Sequence, residues 1–188
     1  MVGTALLGAF LLVATYTDVR WRIIHNATTY GGIVAAWVTS GWATWAGLDS
    51  ASGSPAAVAR WGLVPFWDSV LGCLACGAVM LVCYICFARE LGGGDVKLIA
   101  MIGGFLGPYA GLEAMLWTMV IGGVMALLIL VWRVGAMRLF ALVFRYLLAA
   151  GQGIRPQLNE AERQAMRTDL FLSPSALLAV MIVRVWSE

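Results

Sequence analysis

The strongest constraint on this chain is the succession of long stretches that carry almost no charge. Six of them can be marked: Val2–Thr17, Thr28–Leu48, Ser69–Ala88, Leu98–Leu112, Ala114–Trp132 and Leu170–Val183. A helix needs about 20 apolar residues, within a range of roughly 17–25, to cross a bilayer. The second, third and fifth stretches meet that length as they stand, and the other three need flanking residues to complete a span. In hydrocarbon every backbone N–H and C=O must be paired within the segment, so apolar runs of this length fold as helices. The expectation is an all-α polytopic membrane protein, residues 1–188 forming one membrane-embedded domain with about six transmembrane helices. Composition agrees with this: 62% of residues are hydrophobic, 12% are charged, and the mean hydropathy is +0.88. Soluble domains sit near 45–50% apolar and about 25% charged.

The charges give the orientation. If the N-terminus lies outside, the inner loops collect Arg20, Arg22, Arg89, Lys97, Arg133, Arg138, Arg145, Arg155, Arg163 and Arg167, and only Arg60 and Arg184 remain outside. Ten of twelve cations on one side is the asymmetry expected of cytoplasmic loops. Both termini are then external. No basic residue precedes the first stretch and no small-x-small site clearly ends it, so it reads as a retained helix, not a cleaved signal. Within the inner loop 133–169, Arg138, Arg145 and Gln152 recur every seven residues against Leu139, Phe140, Leu142, Val143, Phe144, Leu147 and Leu148. That pattern suits an amphipathic helix lying on the inner leaflet, with an inner extension of the fifth helix as the alternative. Asn159-Glu160-Ala161-Glu162 resembles a capping box that opens a short polar helix. A net charge of +2 offers nothing that would draw nucleic acid, and the lipid bilayer is the partner implied by composition.

The four cysteines form two C-x-x-C pairs, Cys73/Cys76 and Cys83/Cys86. Such pairs can hold zinc. Here Cys73 and Cys83 lie ten positions apart on one helix, a rise of about 15 Å at 1.5 Å per residue. Four ligands cannot converge over that distance on a metal whose bonds to sulfur are about 2.3 Å. The cysteines read as packing residues, and no metal or other cofactor is expected. His25, the one histidine, reads as a loop residue, and Asn26 beside it as the N-cap of the second helix.

Two acids remain. Asp18 ends the first helix in Tyr16-Thr17-Asp18-Val19-Arg20-Trp21-Arg22, where it could simply pair with Arg22 at i+4. Asp95 stands in the glycine-rich hinge Leu91-Gly92-Gly93-Gly94-Asp95-Val96-Lys97. A carboxylate at the membrane edge is costly to keep and points to function. The topology places both at cytoplasmic helix ends, at one depth. Two carboxylates that meet there share a proton and their pKa values split. One can then act as general base on a water while its protonated partner polarises a peptide carbonyl. The glycines let Asp95 approach its partner and leave backbone groups free to pair with an extended substrate.

Gly92-Gly93-Gly94-Asp95-Val96-Lys97-Leu98 resembles the G-x-G-D-x-K motif of membrane aspartic peptidases. Together with Ile102-Gly103-Gly104-Phe105-Leu106-Gly107, it is similar to the bacterial type IV prepilin peptidase family. Asp18-Val19-Arg20-Trp21-Arg22-Ile23-Ile24-His25-Asn26 resembles that family's first motif, with His25 where the family usually has proline, and Phe171-Leu172-Ser173-Pro174 resembles its last span. The resemblance implies a leader peptidase of the bacterial inner membrane, with Asp18 and Asp95 catalytic, facing the cytoplasm. It implies supporting roles for Gly92, Gly94, Lys97, Arg20 and Asn26. Lys97 could hydrogen-bond near the dyad or to a backbone carbonyl, or merely mark the inner side. The implied substrates are prepilins or pseudopilins with a short basic leader and an apolar helix, for which Glu90, Glu160 and Glu162 are candidate leader contacts. The chain leaves no room for the methyltransferase domain of the large members and is similar to the short Flp/Tad-type peptidases. The alternatives are another G-x-G-D intramembrane protease, which the Thr17 between Tyr16 and Asp18 disfavours, and a small proton-coupled transporter subunit.

Overall fold

The computed structural model describes residues 2–21, 24–46, 62–86, 92–135, 137, 141, 144–145, 148 and 172–186. Among the described residues, six helices can be given bounds: α1 Val2–Trp21, α2 Asn26–Trp45, α3 Phe66–Cys86, α4 Gly93–Leu106, α5 Pro108–Val134 and α6 Leu172–Trp186. Among the described residues there is no strand. By length and composition α1, α3 and the Pro108–Arg133 part of α5 are apolar enough to cross a membrane. The second stretch differs from expectation here. Its helix has 20 residues, but Asn26, Thr28, Thr29, Thr39, Ser40 and Thr44 dilute its apolar character, and it is not among those three. Conversely, α1 takes in Asp18 to Trp21 and so reaches the full length that Val2–Thr17 alone lacked.

Two compact units make up the chain, residues 1–121 with 171–188, and residues 122–170. The first carries the core. Its centre is α4, which packs against α3 and α2 most extensively and also touches α1 and α6. Leu98, Ile99, Met101, Ile102, Gly103, Gly104, Phe105 and Leu106 are all buried, so this helix has no free face, as expected of one apolar all round. The contacting faces are built of small residues. On α3, Gly72 meets the backbone of Gly103 and Gly107 so closely that a Cβ there would collide with both. On α2, Gly32 accommodates the Met101 thioether. Small side chains let membrane helices approach closely, where van der Waals packing and not water exclusion holds them together. Ser69 adds a buried hydrogen bond across the same seam, its hydroxyl donating to the Gly104 carbonyl at 2.6 Å. Cys73 and Cys76 are buried and all four cysteines are free thiols. Cys76 lies beside Gly103 and Gly111, in a packing position.

The turn between the fourth and fifth helices falls earlier than expected. The gap between the stretches Leu98–Leu112 and Ala114–Trp132 puts that turn at Glu113, which is instead an exposed residue within α5. The helix stops at Gly107, which holds φ 79°, a left-handed conformation that glycine adopts without strain. Pro108 then opens α5 at the first helical position, where its missing N–H costs nothing. In the second unit, Met137, Ala141, Phe144, Arg145 and Leu148 are helical. The other residues between 136 and 169, including Glu160 and Glu162, lie outside the described residues, as do Glu90 and Arg22.

Candidate active site

Four helix ends of the first unit come together: the C-terminus of α1 and the N-termini of α2, α4 and α6. The reversal of direction between α1 and α2 brings Ile24 against Gly94, where even an added Cβ would press on the isoleucine at 3.1 Å. Here the glycine serves a close approach between the two segments that carry the acids.

Asp95 occupies the first turn of α4. Gly92 precedes the helix, and the two residues bond reciprocally. The Asp95 N–H donates to the Gly92 carbonyl at 3.0 Å, and the Gly92 N–H donates to Asp95 Oδ2 at 3.2 Å. Lying ahead of the apolar run that begins at Leu98, Asp95 has its proton affinity raised from the ordinary 3.8 to about 6. Burial is the main cause. The Gly92 hydrogen bond works against it by favouring the charged form, and the negative charge of Asp18 adds to it. Asp18 and Asp95 are therefore within electrostatic reach, as a coupled pair requires.

Asp18 is half-buried near the end of α1. Its Oδ2 accepts a hydrogen bond of 2.5 Å from the hydroxyl of Ser173 on α6. Ser173 has no solvent exposure. The two motifs flanking the acids are also tied directly, because Lys97 Nζ donates to Asn26 Oδ1 at 2.7 Å. The same ammonium lies 4.9 Å from the centre of the Tyr30 ring, a cation–π distance. Asn26 was expected to cap α2. Instead the cap position falls one residue earlier, on His25, whose side chain makes no capping bond. The amide of Asn26 is thereby free to receive Lys97. His25 packs its ring edge-on to Trp21 at 6.4 Å, and its carbonyl accepts from the N–H groups of Thr28 and Thr29. Arg20 is exposed in the last turn of α1.

The site thus joins Asp18, Asp95, Lys97 and Asn26 from among the residues singled out in the sequence, with Gly92 and Gly94 shaping the hinge. The Ser173 bond to Asp18 and the Tyr30 ring against Lys97 are contacts that the sequence motifs do not indicate. Among the described residues no group of three or more His, Cys, Asp or Glu side chains could hold a metal ion.

The type IV leader peptidase family matches the chain over residues 5–127, which takes in both aspartates and the whole Gly92–Lys97 hinge. The chain belongs to that family. It is accordingly a peptidase and a membrane protein. Neither a curated protein nor a solved structure matches it. Ser173 lies beyond the matched residues.

Proposed function

We propose that this leader peptidase is a membrane aspartic endopeptidase that removes the leader from type IV prepilins of the Flp/Tad kind at the cytoplasmic membrane face. The observation that carries the reading is the convergence of Asp18 from α1 and Asp95 from α4, with the Asp18 charge contributing to the raised proton affinity of Asp95. Two carboxyl groups in this relation hold one proton between them at moderate pH. Burial favours keeping it on Asp95. Asp18, as carboxylate, then removes a proton from a water whose oxygen attacks the scissile carbonyl carbon, while the Asp95 carboxylic acid donates to the carbonyl oxygen. A C–O bond forms, and the tetrahedral intermediate collapses as the C–N bond breaks. Asp18 passes the proton it took from the water to the departing amine, a hydroxyl of the intermediate returns a proton to Asp95, and the two acids regain their shared-proton state. The ten-to-two charge asymmetry supports the cytoplasmic side, and the hinge position of Gly92 and Gly93, both exposed, supports docking of an extended segment through backbone groups.

The test is co-expression with a prepilin carrying a short basic leader, a glycine before the cleavage point and an apolar helix, with leader removal followed on a gel. Wild type cleaves. Asp18→Asn and Asp95→Asn each abolish processing while the protein stays in the membrane fraction. Normal processing by either variant excludes the dyad.

A further inference from the structure

We infer that Ser173 is a positioning residue for the reaction, clamping Asp18 by a hydroxyl hydrogen bond from the last helix. The inference rests on the peptidase reading above and adds a third, remote side chain to the pair.

In a helix interior a serine hydroxyl bonds back to the carbonyl three or four residues earlier. Within this protein Ser175, Thr17, Thr39 and Thr118 all do so. Ser173 lies next to Leu172, the first described residue of α6. Its hydroxyl turns outward to Asp18 Oδ2, 155 positions away in the chain, at 2.5 Å. That is the short end of the range for O–H donation to a carboxylate. Ser173 has no exposure to solvent, and Asp18 is half-buried.

The packing of α6 holds this geometry. Leu172, Ala176, Val180 and Val183 join the same buried cluster as Leu7, Leu11 and Ala14 of α1. Small residues at the contact keep the helices close, so the serine is brought to Asp18 by a rigid helix face and not by a loop. The asymmetry between the two acids is chemical. Asp95 Oδ2 is held by a backbone N–H of its own hinge, whereas Asp18 Oδ2 is held from another element. One carboxylate oxygen of Asp18 is thereby fixed by Ser173, and the orientation of the other, which must meet the water, follows from it. A displacement of about 1 Å at a reacting group can lower a rate by about a hundredfold.

The experiment uses the full chain, purified in detergent, cleaving the prepilin described above. Ser173→Ala removes the donor. Ser173→Cys keeps the volume but leaves only a weak donor, and Ser173→Thr restores a hydroxyl. The expected result is a fall in kcat of roughly 10- to 100-fold for the alanine and cysteine variants, KM within about twofold because ground-state binding is untouched, and recovery of most of kcat in the threonine variant. Unchanged kcat in Ser173→Ala overturns the inference. So does a cysteine variant as active as wild type alongside a poor alanine variant, which would make the role one of filling space. Asp18→Asn and Asp95→Asn are assayed beside them. If those two are dead while Ser173→Ala is normal, only the positioning role falls. If wild type itself leaves the prepilin uncut, or either aspartate variant cleaves it, the peptidase reading fails and this inference with it.

Discussion

Replacing Asp95 by asparagine should inactivate the protein and at the same time stabilise it. The carboxyl has its pKa raised from 3.8 to about 6, mainly by burial. This is roughly a hundredfold change in proton affinity, equivalent to about 3 kcal/mol between the charged and neutral forms. Asp95 retains some contact with solvent, and screening there brings the expected effect to about 1–3 kcal/mol. The sign follows from proton counting. Between about pH 4 and pH 6 the folded chain holds a proton on Asp95 that the unfolded chain has released, so wild-type stability falls as pH rises through that window and levels off above it. Asparagine does not titrate, keeps an oxygen to accept the Gly92 N–H, and removes the repulsion with Asp18. The stability difference between Asp95→Asn and wild type should therefore be near zero below about pH 4 and grow to its full value above about pH 6. It can be measured as unfolding midpoints in mixed detergent micelles, followed by the fluorescence of the chain's nine tryptophans, for both proteins across pH 3.5–7.5. Acids remote from the Asp18–Asp95 pair contribute equally to both curves and cancel in the difference. A variant less stable than wild type at pH 7, or a difference that does not change with pH, would refute the view that a buried, proton-retaining carboxyl sits in this hinge.

Three further outcomes follow from the surrounding contacts. Asn26→Ala and Lys97→Met each break the 2.7 Å bond between the two motifs and should each cost about 1 kcal/mol, with the double variant costing clearly less than the two together in the same unfolding assay. His25→Pro should preserve leader cleavage and raise stability by about 0.4–1 kcal/mol, because His25 already holds φ −68°, within proline's range, and the carbonyl that receives Thr28 and Thr29 is retained. Replacing Cys73, Cys76, Cys83 and Cys86 together with alanine should lower stability through the buried pair but leave cleavage largely intact, and cleavage should also survive a chelator; loss of activity in either case would point to ligand chemistry at these thiols.

The helices were legible because apolar runs in lipid have few structural alternatives. Their ends were less so. Glu113 is a weaker marker of the turn than the Gly107-Pro108 pair, in which glycine ends one helix and proline begins the next. Asn26 likewise reads as a cap in the sequence, whereas its exposed amide serves a lysine 71 positions later. Both acids could be singled out because a carboxylate beside an apolar run is conspicuous and the hinge around Asp95 is unusual. Ser173 could not. A serine near a helix start is ordinary, and its partner is separated from it by most of the chain. The resemblance of Phe171-Leu172-Ser173-Pro174 to the family's last span marks the stretch but not the residue it meets.

These contacts explain why a helix buried on every side can begin with an acid. At the first turn of α4 the helix dipole and the Gly92 N–H both favour a negative charge, while burial and the Asp18 charge oppose it. The opposing terms prevail, but only to a proton affinity near the middle of the working range, where a carboxyl can both hold and release a proton. Moving α4 outward by one turn would hydrate Asp95 and return it to ordinary acidity; sinking it further would lock the proton in place. What sets that depth is remote from the acid: the backbone contact of Gly72 with Gly103 and Gly107, and the Ser69 bond to Gly104. Close packing at the far half of α4 and proton chemistry at its start are thus coupled through a single rigid helix. Bulk added at Gly72 or Gly103 should disturb Asp95 without touching it.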